Sequence, residues 1–321
     1  MTLTGTADGM VAARVQPIDA VTAKRTHHLC VCICTFKRPE LLKRLLASLA
    51  SQRTAALFTY SVVVADNDAM KSAEPVVAAF SSQSPLHVTY CFEPQQNIAL
   101  ARNRAIEHAS GDFVVFIDDD EFPVQDWLRN LLETYLAYGV DGVLGPVNPW
   151  FECDPPSWVR KGGFFDRPNH ATGYKLSWAE CRTGNVLFRR SVLDGVATPF
   201  RSEFDTAGED MDFFRRMINK GCAFIWCSDA VVYEVVPAAR CTRSFLLRRA
   251  LLRGSNFRKH PTDRLKNLLR SMVAVPSYTL ALPILAVCGQ HVFFKYLVKL
   301  CDHASRLLAF LGLSVVTQRE T

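Results

Sequence analysis

Short apolar runs alternate with amphipathic helical segments from residue 29 onward, and this alternation constrains the fold more than any other sequence feature. The run at 29–35 is apolar almost throughout, as expected for a strand that is covered on both faces. Pro39 opens a predicted helix with leucines along one side. The repeated order of strand and helix predicts an α/β fold, a doubly wound and mostly parallel sheet with helices on both faces. Further strands are predicted at residues 60–65, 87–92, 113–117, 142–147, 184–189, 223–227 and 230–233, and further helices at 74–80, 98–109, 126–138, 209–220 and 244–253.

The composition is that of a globular chain. Of the 321 residues, 49% are hydrophobic and 21% are charged, which excludes disorder for the bulk of the chain. We predict a flexible leader at residues 1–28, a main α/β domain at 29–240 and a helical C-terminal region at 241–321. The leader lacks the apolar core of a signal peptide. The eleven cysteines include no Cys-x-x-Cys pair, so the sequence predicts a reducing cytoplasm without disulfides and without a zinc ribbon.

Positive charge is concentrated in one stretch. Residues 240–270 contain ten basic residues and one acid, although the net charge of the whole chain is only +6. The remainder is mildly acidic, which argues against nucleic acid as a partner. Residues 271–294 then contain no Lys, Arg, Asp or Glu, although Pro276 and Pro283 interrupt them. This order predicts attachment to the cytoplasmic face of the (inner) membrane, as an interfacial or re-entrant segment rather than a true span. A soluble helical subdomain packed on the sheet is the alternative.

Four consecutive carboxylates, at residues 118–121, follow the strand predicted at 113–117. Adjacent carboxylates repel one another strongly unless a cation lies among them. If the segment stays extended, Asp118 and Asp120 point the same way. Two such carboxylates suit Mg²⁺ or Mn²⁺ bound to a diphosphate. A solvated acidic turn is the alternative.

Three polar residues, Thr35, Asp66 and Asp118, are predicted at the carboxyl ends of strands. Open α/β sheets bind their ligands at that edge, so the convergence of the three residues predicts a ligand site there. Asp66 taken alone also fits an Asx turn. The helix predicted at 98–109 carries Arg102 and Arg104, either of which could neutralise a phosphate, although a surface position is favoured for Arg104.

The helix predicted at 209–220 begins with three acids, in the sequence GEDMDFFRRM. At 100° per residue, Asp210 falls near the middle of the face that Phe213, Phe214 and Met217 define, Glu209 falls on its flank and Asp212 falls outside it. An inward-facing carboxylate at a helix start is costly without a partner or a catalytic task. Capping of the helix N-terminus is the alternative role for such acids.

The sequence contains no P-loop, no G-x-G-x-x-G fingerprint and no G-x-S-x-G elbow, which disfavours the enzyme classes that use them. Six motifs, over roughly residues 29–253, instead resemble in order those of family 2 glycosyltransferases of the inverting, GT-A type. Within that family they are most similar to bacterial enzymes that extend lipid-linked repeat units of succinoglycan-type exopolysaccharides. The motifs are CICTFKRPELLKRLLASL, VVVADND, NIALARNRAI, GDFVVFIDDDEFP, TGNVLFRR and GEDMDFFRRM.

The resemblance implies that residues 29–240 bind a nucleotide-sugar donor, most often a UDP-sugar, and transfer the sugar to a glycan or lipid-linked acceptor. By position, Asp210 matches the catalytic base, and Gly184, Asn185 and Glu209 fall on the acceptor side. The implied cofactor is Mg²⁺ or Mn²⁺. Its matched ligands are Asp118 and Asp120, with Glu234 where many relatives have a histidine. The positions that match the family's donor-nucleotide site are Thr35, Arg38, Glu40, Asp66, Arg102 and Asp118.

The Q-x-x-R-W motif of processive synthases is missing, so a polymerising synthase is not expected. Two other functions are weighed against the resemblance. One is a metal-dependent nucleotidyltransferase, for which residues 35–39 supply only part of the necessary basic loop. The other is a non-enzymatic membrane-docking protein, which leaves the run of carboxylates unexplained.

Overall fold

The computed structural model describes residues 26–204, 208–255 and 264–313. Nearly all of the predicted leader, residues 1–25, lies outside the described residues, as do residues 256–263 of the basic stretch and residues 314–321 of the predicted C-terminal region. The strands are β1 (His27–Thr35), β2 (Phe58–Asp66), β3 (Val88–Phe92), β4 (Phe113–Ile117), β5 (Glu121–Pro123), β6 (Gly142–Leu144), β7 (Val147–Phe151), β8 (Asn185–Arg189), β9 (Phe224–Trp226) and β10 (Val232–Val236). The helices are α1 (Pro39–Ala50), α2 (Glu74–Ser81), α3 (Ile98–His108), α4 (Trp127–Tyr138), α5 (Ser157–Gly162), α6 (Glu209–Asn219), α7 (Arg243–Ser255), α8 (Arg264–Val287) and α9 (Gln290–Phe310).

Seven strands form the main sheet, in the order β3-β2-β1-β4-β8-β6-β9. The first four of these run parallel, and β8 runs antiparallel to both of its neighbours. Successive residues of β1 face opposite sides of the sheet. Leu29, Val31 and Ile33 belong to the core with α1 and α4, whereas Cys30 and Cys32 belong to the core with α3 and α6. The mixed α/β sheet with helices on both faces is therefore confirmed.

A small second sheet, in the order β5-β10-β7, lies beside the main one. The sequence predicted one strand at 142–147, but the chain leaves the main sheet after β6 and enters the small sheet at β7. Pro146 lies between the two strands and has no N–H for a ladder. The segment that follows, residues 150–174, includes the end of β7 and all of α5.

The C-terminal helices pack on the α/β domain through α9. Helix α9 contacts α5, α7 and α8, and Phe294 of α9 lies edge-on to Trp158 at 4.9 Å between ring centroids. Helix α8 packs on α9 through a buried hydrogen bond of 2.9 Å between Ser271 and His303. Among the described residues, α8 is the one helix long and apolar enough to cross a membrane. The boundary at residue 240 stays a prediction.

The outward side of α8 is an apolar stripe. Its members recur at intervals that place them on one face of a helix, and each is well exposed. The opposite face packs on α9. The members of the stripe are Leu265, Leu269, Met272, Val273, Leu280, Ile284 and Val287.

Candidate active site

The carboxyl ends of β1, β2 and β4 meet at one edge of the main sheet. The parallel register pairs Thr35 of β1 with Asp66 of β2, and Asp118 follows directly after β4. The convergence of Thr35, Asp66 and Asp118 on one edge agrees with the sequence analysis. This edge is where open α/β sheets hold their ligands.

Residues 118–121 form a turn and not an extended segment, so the argument that Asp118 and Asp120 align by alternation is wrong. The N–H of Glu121 donates to the carbonyl of Asp118 at 3.1 Å, which closes the turn. Asp118 is the most open of the acids, with 45% of its side chain exposed, and lies 3.6 Å from Arg102. Asp120 is only 12% exposed and lies 3.1 Å from Arg38 and 3.4 Å from Arg240.

Asp119, between them, is turned inward. The Thr35 hydroxyl donates to Asp119 at 2.9 Å, and the Arg38 guanidinium donates to it at 2.8 Å. Thr35 and Arg38 therefore brace the acidic turn in this arrangement. Glu40 is exposed in the first turn of α1, away from these hydrogen bonds.

The pKa values show how poorly negative charge is compensated here. Partial withdrawal from water raises the pKa of Asp118, with Arg102 opposing and Asp120 adding to the rise. Burial raises the pKa of Asp119 to about 6, despite Arg38. Burial, followed by the charge of Asp118, raises the pKa of Glu121 well above its usual range. A bound cation would reverse each of these shifts.

Glu121 and Gly184 shape the floor beside Asp118. One carboxylate oxygen of Glu121 accepts the N–H of Asp118 at 3.1 Å, and the other is buried without a hydrogen-bond partner. A Cβ at Gly184 would lie 2.8 Å from that second oxygen and 3.2 Å from Asp118. A side chain at this position would therefore force the Glu121 carboxylate, and to a lesser degree that of Asp118, to shift.

The donor set fits a hard divalent cation. Mg²⁺ is typically held by one or two carboxylates together with substrate phosphates and water. Asp118 supplies an open carboxylate, and Glu121 an unpartnered buried oxygen. Within the described ranges, no three His, Cys, Asp or Glu side chains form a ready-made metal site. Substrate phosphates and water would complete the coordination of a cation held by Asp118.

Arg102 joins the acidic turn to the start of α6. Its guanidinium pairs with Glu209, lies 3.6 Å from Asp118 and lies over the ring of Phe200 at 5.7 Å. Asn97 caps the helix that carries Arg102, because its side chain accepts the N–H groups of Ala99 and Leu100. A single buried arginine thus connects three elements of the site.

The helical-wheel prediction for α6 is wrong. Glu209 and Asp212 are buried, and Asp210 is only partly buried. A helical wheel takes no account of cationic side chains from other parts of the fold or of the same helix. In the structure, Arg102 pairs with Glu209, and Arg216 lies 2.8 Å from Asp212. Paired acids can be buried.

Asp210 differs from both neighbouring acids. Its carboxylate accepts the N–H of Met211 at 2.7 Å and forms no ion pair with any described residue. The thiol of Cys181 lies near enough for the Asp210 charge to add to the rise that burial causes in its pKa. Asp210 therefore lies in the neighbourhood of the segment before Gly184 and stays partly open to solvent.

Two further predicted residues are engaged inside the protein. Asp66 is fully buried, and its carboxylate accepts the N–H groups of Asp68 at 3.0 Å and Ala73 at 2.8 Å, the pattern of an Asx turn. Asn185 donates to the carbonyls of Pro146 at 3.0 Å and Ala230 at 2.7 Å. Their contacts with a donor and an acceptor stay predictions.

Two arginines that were not among the predicted site residues lie beside Glu234. Glu234 of β10 lies opposite Glu121, pairs with Arg167 and lies 3.3 Å from Arg240. Arg240 follows a predicted strand, so its position near the sheet edge could have been inferred. Arg167 lies in an aperiodic segment that offers no such indication.

Known proteins resemble this chain in sequence. The model of the family "Glycosyl transferase family 2" matches residues 30–196. The succinoglycan biosynthesis protein ExoM of Rhizobium meliloti is 36% identical over 233 residues, which are 71% of this chain and 74% of that protein. The glycosyltransferase AglE of Haloferax volcanii is 26% identical over 201 residues, which are 63% of this chain and 64% of AglE.

Solved structures show the same fold at low sequence identity. The mannosyltransferase PcManGT of Pyrobaculum calidifontis, in complex with GDP-Man and Mn²⁺, has a TM-score of 0.61 at 19% identity, over 92% of this chain and 90% of that one. TarS of S. aureus, in complex with UDP, has a TM-score of 0.52 at 15% identity, over 89% of this chain and 90% of that one. The predicted GT-A-like architecture is confirmed.

Proposed function

Since the chain belongs to glycosyl transferase family 2, we propose that it moves a sugar from a nucleotide-sugar to a hydroxyl of a glycan or lipid-linked acceptor in polysaccharide biosynthesis, with inversion at the anomeric carbon. The resemblance drawn from the motifs is confirmed by the family match. A UDP-sugar is the favoured donor. Neither a nucleotidyltransferase nor a non-enzymatic docking protein is supported by the relatives.

Asp210 is the general base of this proposal. It takes the proton of the acceptor hydroxyl while that oxygen bonds to the anomeric carbon, and the bond from this carbon to the diphosphate oxygen breaks. Glu209 neutralises Arg102 and so leaves Asp210 as the accessible acid at the start of α6. The observation that carries the proposal is this difference between two adjacent acids.

Asp118 and Asp120 would hold Mg²⁺ or Mn²⁺, with the unpartnered oxygen of Glu121 beside Asp118. Asp120 is held by Arg38 and Arg240, so its contribution as a ligand requires those ion pairs to rearrange. The metal, when bound, supplies positive charge to the departing diphosphate. Arg38 lies beside Asp120, and Arg102 lies beside Asp118. Both arginines would bind the phosphates of the departing diphosphate. Glu234 is held by two arginines, so its contribution as a ligand requires those ion pairs to rearrange.

Attachment to the cytoplasmic face of the membrane completes the proposal. The apolar stripe of α8 faces outward while the opposite side of the helix packs on α9, which favours a helix lying in the interface over a span. Lys266 and Arg270 flank the stripe and suit an anionic lipid surface.

The direct test is a panel of nucleotide-sugars incubated with the purified full chain, Mn²⁺ and a crude lipid extract as acceptor. We expect one donor to release free nucleoside diphosphate only when the extract is present. Release of pyrophosphate instead would favour nucleotidyl transfer. Nucleotide release that does not respond to any acceptor would overturn sugar transfer.

A further inference from the structure

Residues 198–202 belong to no helix or strand, so their backbone groups need partners from outside the segment. Two amide side chains at α3 supply several of these partners. Asn103 donates to the carbonyl of Phe200 at 2.7 Å and accepts the N–H of the same residue at 2.9 Å. Asn97, directly before α3, donates to the carbonyl of Ser202 at 2.9 Å. The segment is thus fixed to α3 at two points.

The same segment is also fixed to α6, the helix that carries the proposed general base. The Arg216 guanidinium of α6 donates to the carbonyl of Thr198 at 3.5 Å and to that of Pro199. Phe200 is fully buried and packs on Phe213 of α6, with 4.9 Å between the ring centroids. Residues 198–202 therefore join α3 to α6 through side chains of both helices.

The side chain of Asn97 performs two separate tasks. Its Oδ1 accepts the N–H groups of Ala99 at 2.9 Å and Leu100 at 3.3 Å, which caps α3. Its Nδ2 donates to Ser202. Aspartate at position 97 would keep the capping oxygen and lose the donor, because a carboxylate only accepts hydrogen bonds. One substitution can therefore remove the contact with Ser202 and keep the cap.

Asn97 is itself fixed from the end of β2. Its backbone N–H donates to Oδ1 of Asn67 at 2.9 Å, and Asn67 directly follows Asp66, the last residue of β2. The Nδ2 of Asn67 donates to the carbonyls of Glu93 at 3.0 Å and Gln95 at 2.7 Å. Satisfied networks of buried polar groups rigidify a fold. This network runs from the end of β2 through Asn97 to the segment between α3 and α6.

We propose that Asn97 and Asn103 are positioning residues for Asp210, and that they act through residues 198–202 to fix the start of α6 relative to α3. This inference rests on the proposed function, in which Asp210 is the general base. A base must lie within hydrogen-bond reach of the hydroxyl that it deprotonates. A misplacement of about 1 Å can cost on the order of 10² in rate.

Asn97→Asp is the direct test, in the full chain with the nucleotide-sugar that responds in the donor panel, Mn²⁺ and the crude lipid extract. We expect the rate at saturating donor to fall about tenfold or more, because the base is displaced. The affinity for UDP, measured by calorimetry, should stay within about twofold. Asn103→Asp loses the donor to the Phe200 carbonyl and should give the same result.

Asn130→Asp is the matched control. Asn130 of α4 donates to the carbonyl of Asp229 at 2.8 Å and loses its amide donor in the same way, so its rate should be unchanged. Thermal melting shows whether each variant is folded. If Asn97→Asp does not fold, Asn97→Ser replaces it, since serine keeps a capping oxygen and has no amide. A folded Asn97 variant of normal rate would overturn the inference.

A double-mutant cycle with Asp210→Asn separates positioning of the base from a general weakening of the fold. Once the carboxylate of Asp210 is removed, Asn97→Asp should cost less than about twofold in rate. A loss that persists in full in the Asp210→Asn background would overturn the inference and leave the base assignment intact. A normal rate in Asp210→Asn alone would count against the proposed function, and the inference would fall with it.

Discussion

Asp210 and Glu209 are adjacent in sequence but have unlike surroundings. Glu209 is buried against Arg102, and Asp210 is accessible without an ion pair to any described residue. We expect Asp210→Asn to lower kcat by roughly 10²–10⁴ and to leave UDP binding nearly unchanged, because a base acts chiefly in the transition state. Steady-state kinetics measures kcat, and calorimetry measures the affinity for UDP. An Asn variant with normal kcat would remove Asp210 from the mechanism.

Glu209→Gln should act on stability rather than on the chemical step. The substitution leaves the buried Arg102 without its main partner, so we expect a loss of about 3 kcal/mol in the free energy of unfolding, moderated by Asp118 at 3.6 Å. Its kcat should fall tenfold at most. Urea unfolding measures the effect, with the exposed Glu203→Gln as control. A variant of normal stability without activity would move the base assignment to Glu209.

Asp120→Asn tests the metal site itself. Removing one carboxylate should raise the Mn²⁺ concentration needed for half-maximal activity and lower the rate by about 10² or more, since a charge that stabilises the transition state is lost. A Mn²⁺ titration of activity reports both quantities. Asp154→Asn, on the surface, is the control. An unchanged titration curve in Asp120→Asn would exclude Asp120 as a ligand.

At the scale of elements, α8 exposes a stripe of large hydrophobic side chains, which is unfavourable in water. Leu280 is 77% exposed in the middle of the apolar stripe. We expect Leu280→Glu to lower the binding of the full chain to vesicles of mixed neutral and anionic lipid about tenfold, because the burial of one leucine side chain is lost. A vesicle sedimentation assay measures it.

Leu136→Glu is the matched control, since Leu136 is an exposed leucine on α4 of the α/β domain. It should bind vesicles like the unaltered chain. Carbonate extraction of cell membranes distinguishes the modes of attachment: release without detergent is expected for an interfacial helix, and retention would indicate a span. The absence of any binding of the full-length chain to the vesicles would contradict membrane attachment.

At the scale of the whole molecule, most strands and helices, and the edge of the sheet that holds the site, could be predicted because they depend on the local sequence pattern. Buried strands such as β4 read as short apolar runs, and parallel strands bring Thr35 and Asp66 together automatically. Strand β5 was missed because three residues directly after an acidic turn carry no periodicity.

The ion pairs could not be predicted in this way. Arg167 is 67 residues from Glu234, and Arg102 is 107 residues from Glu209, so each pair exists only once the fold has formed. The burial of the acids of α6 was predicted wrongly because the helical wheel does not include their ion pairs with Arg102 and Arg216. Local pattern predicts which residues reach the edge, and tertiary partners decide which of them remain free to react.

The central claim is a metal-dependent transfer of sugar from a nucleotide-sugar to an acceptor, and one stoichiometric measurement tests it most directly. The full chain is incubated with its donor labelled in the sugar, the lipid extract and Mn²⁺, or with excess chelator in place of Mn²⁺. We predict equal amounts of free nucleoside diphosphate and labelled acceptor with Mn²⁺, and neither with chelator. Transfer that continues at full rate in chelator, or nucleotide release without labelled acceptor, would contradict the claim.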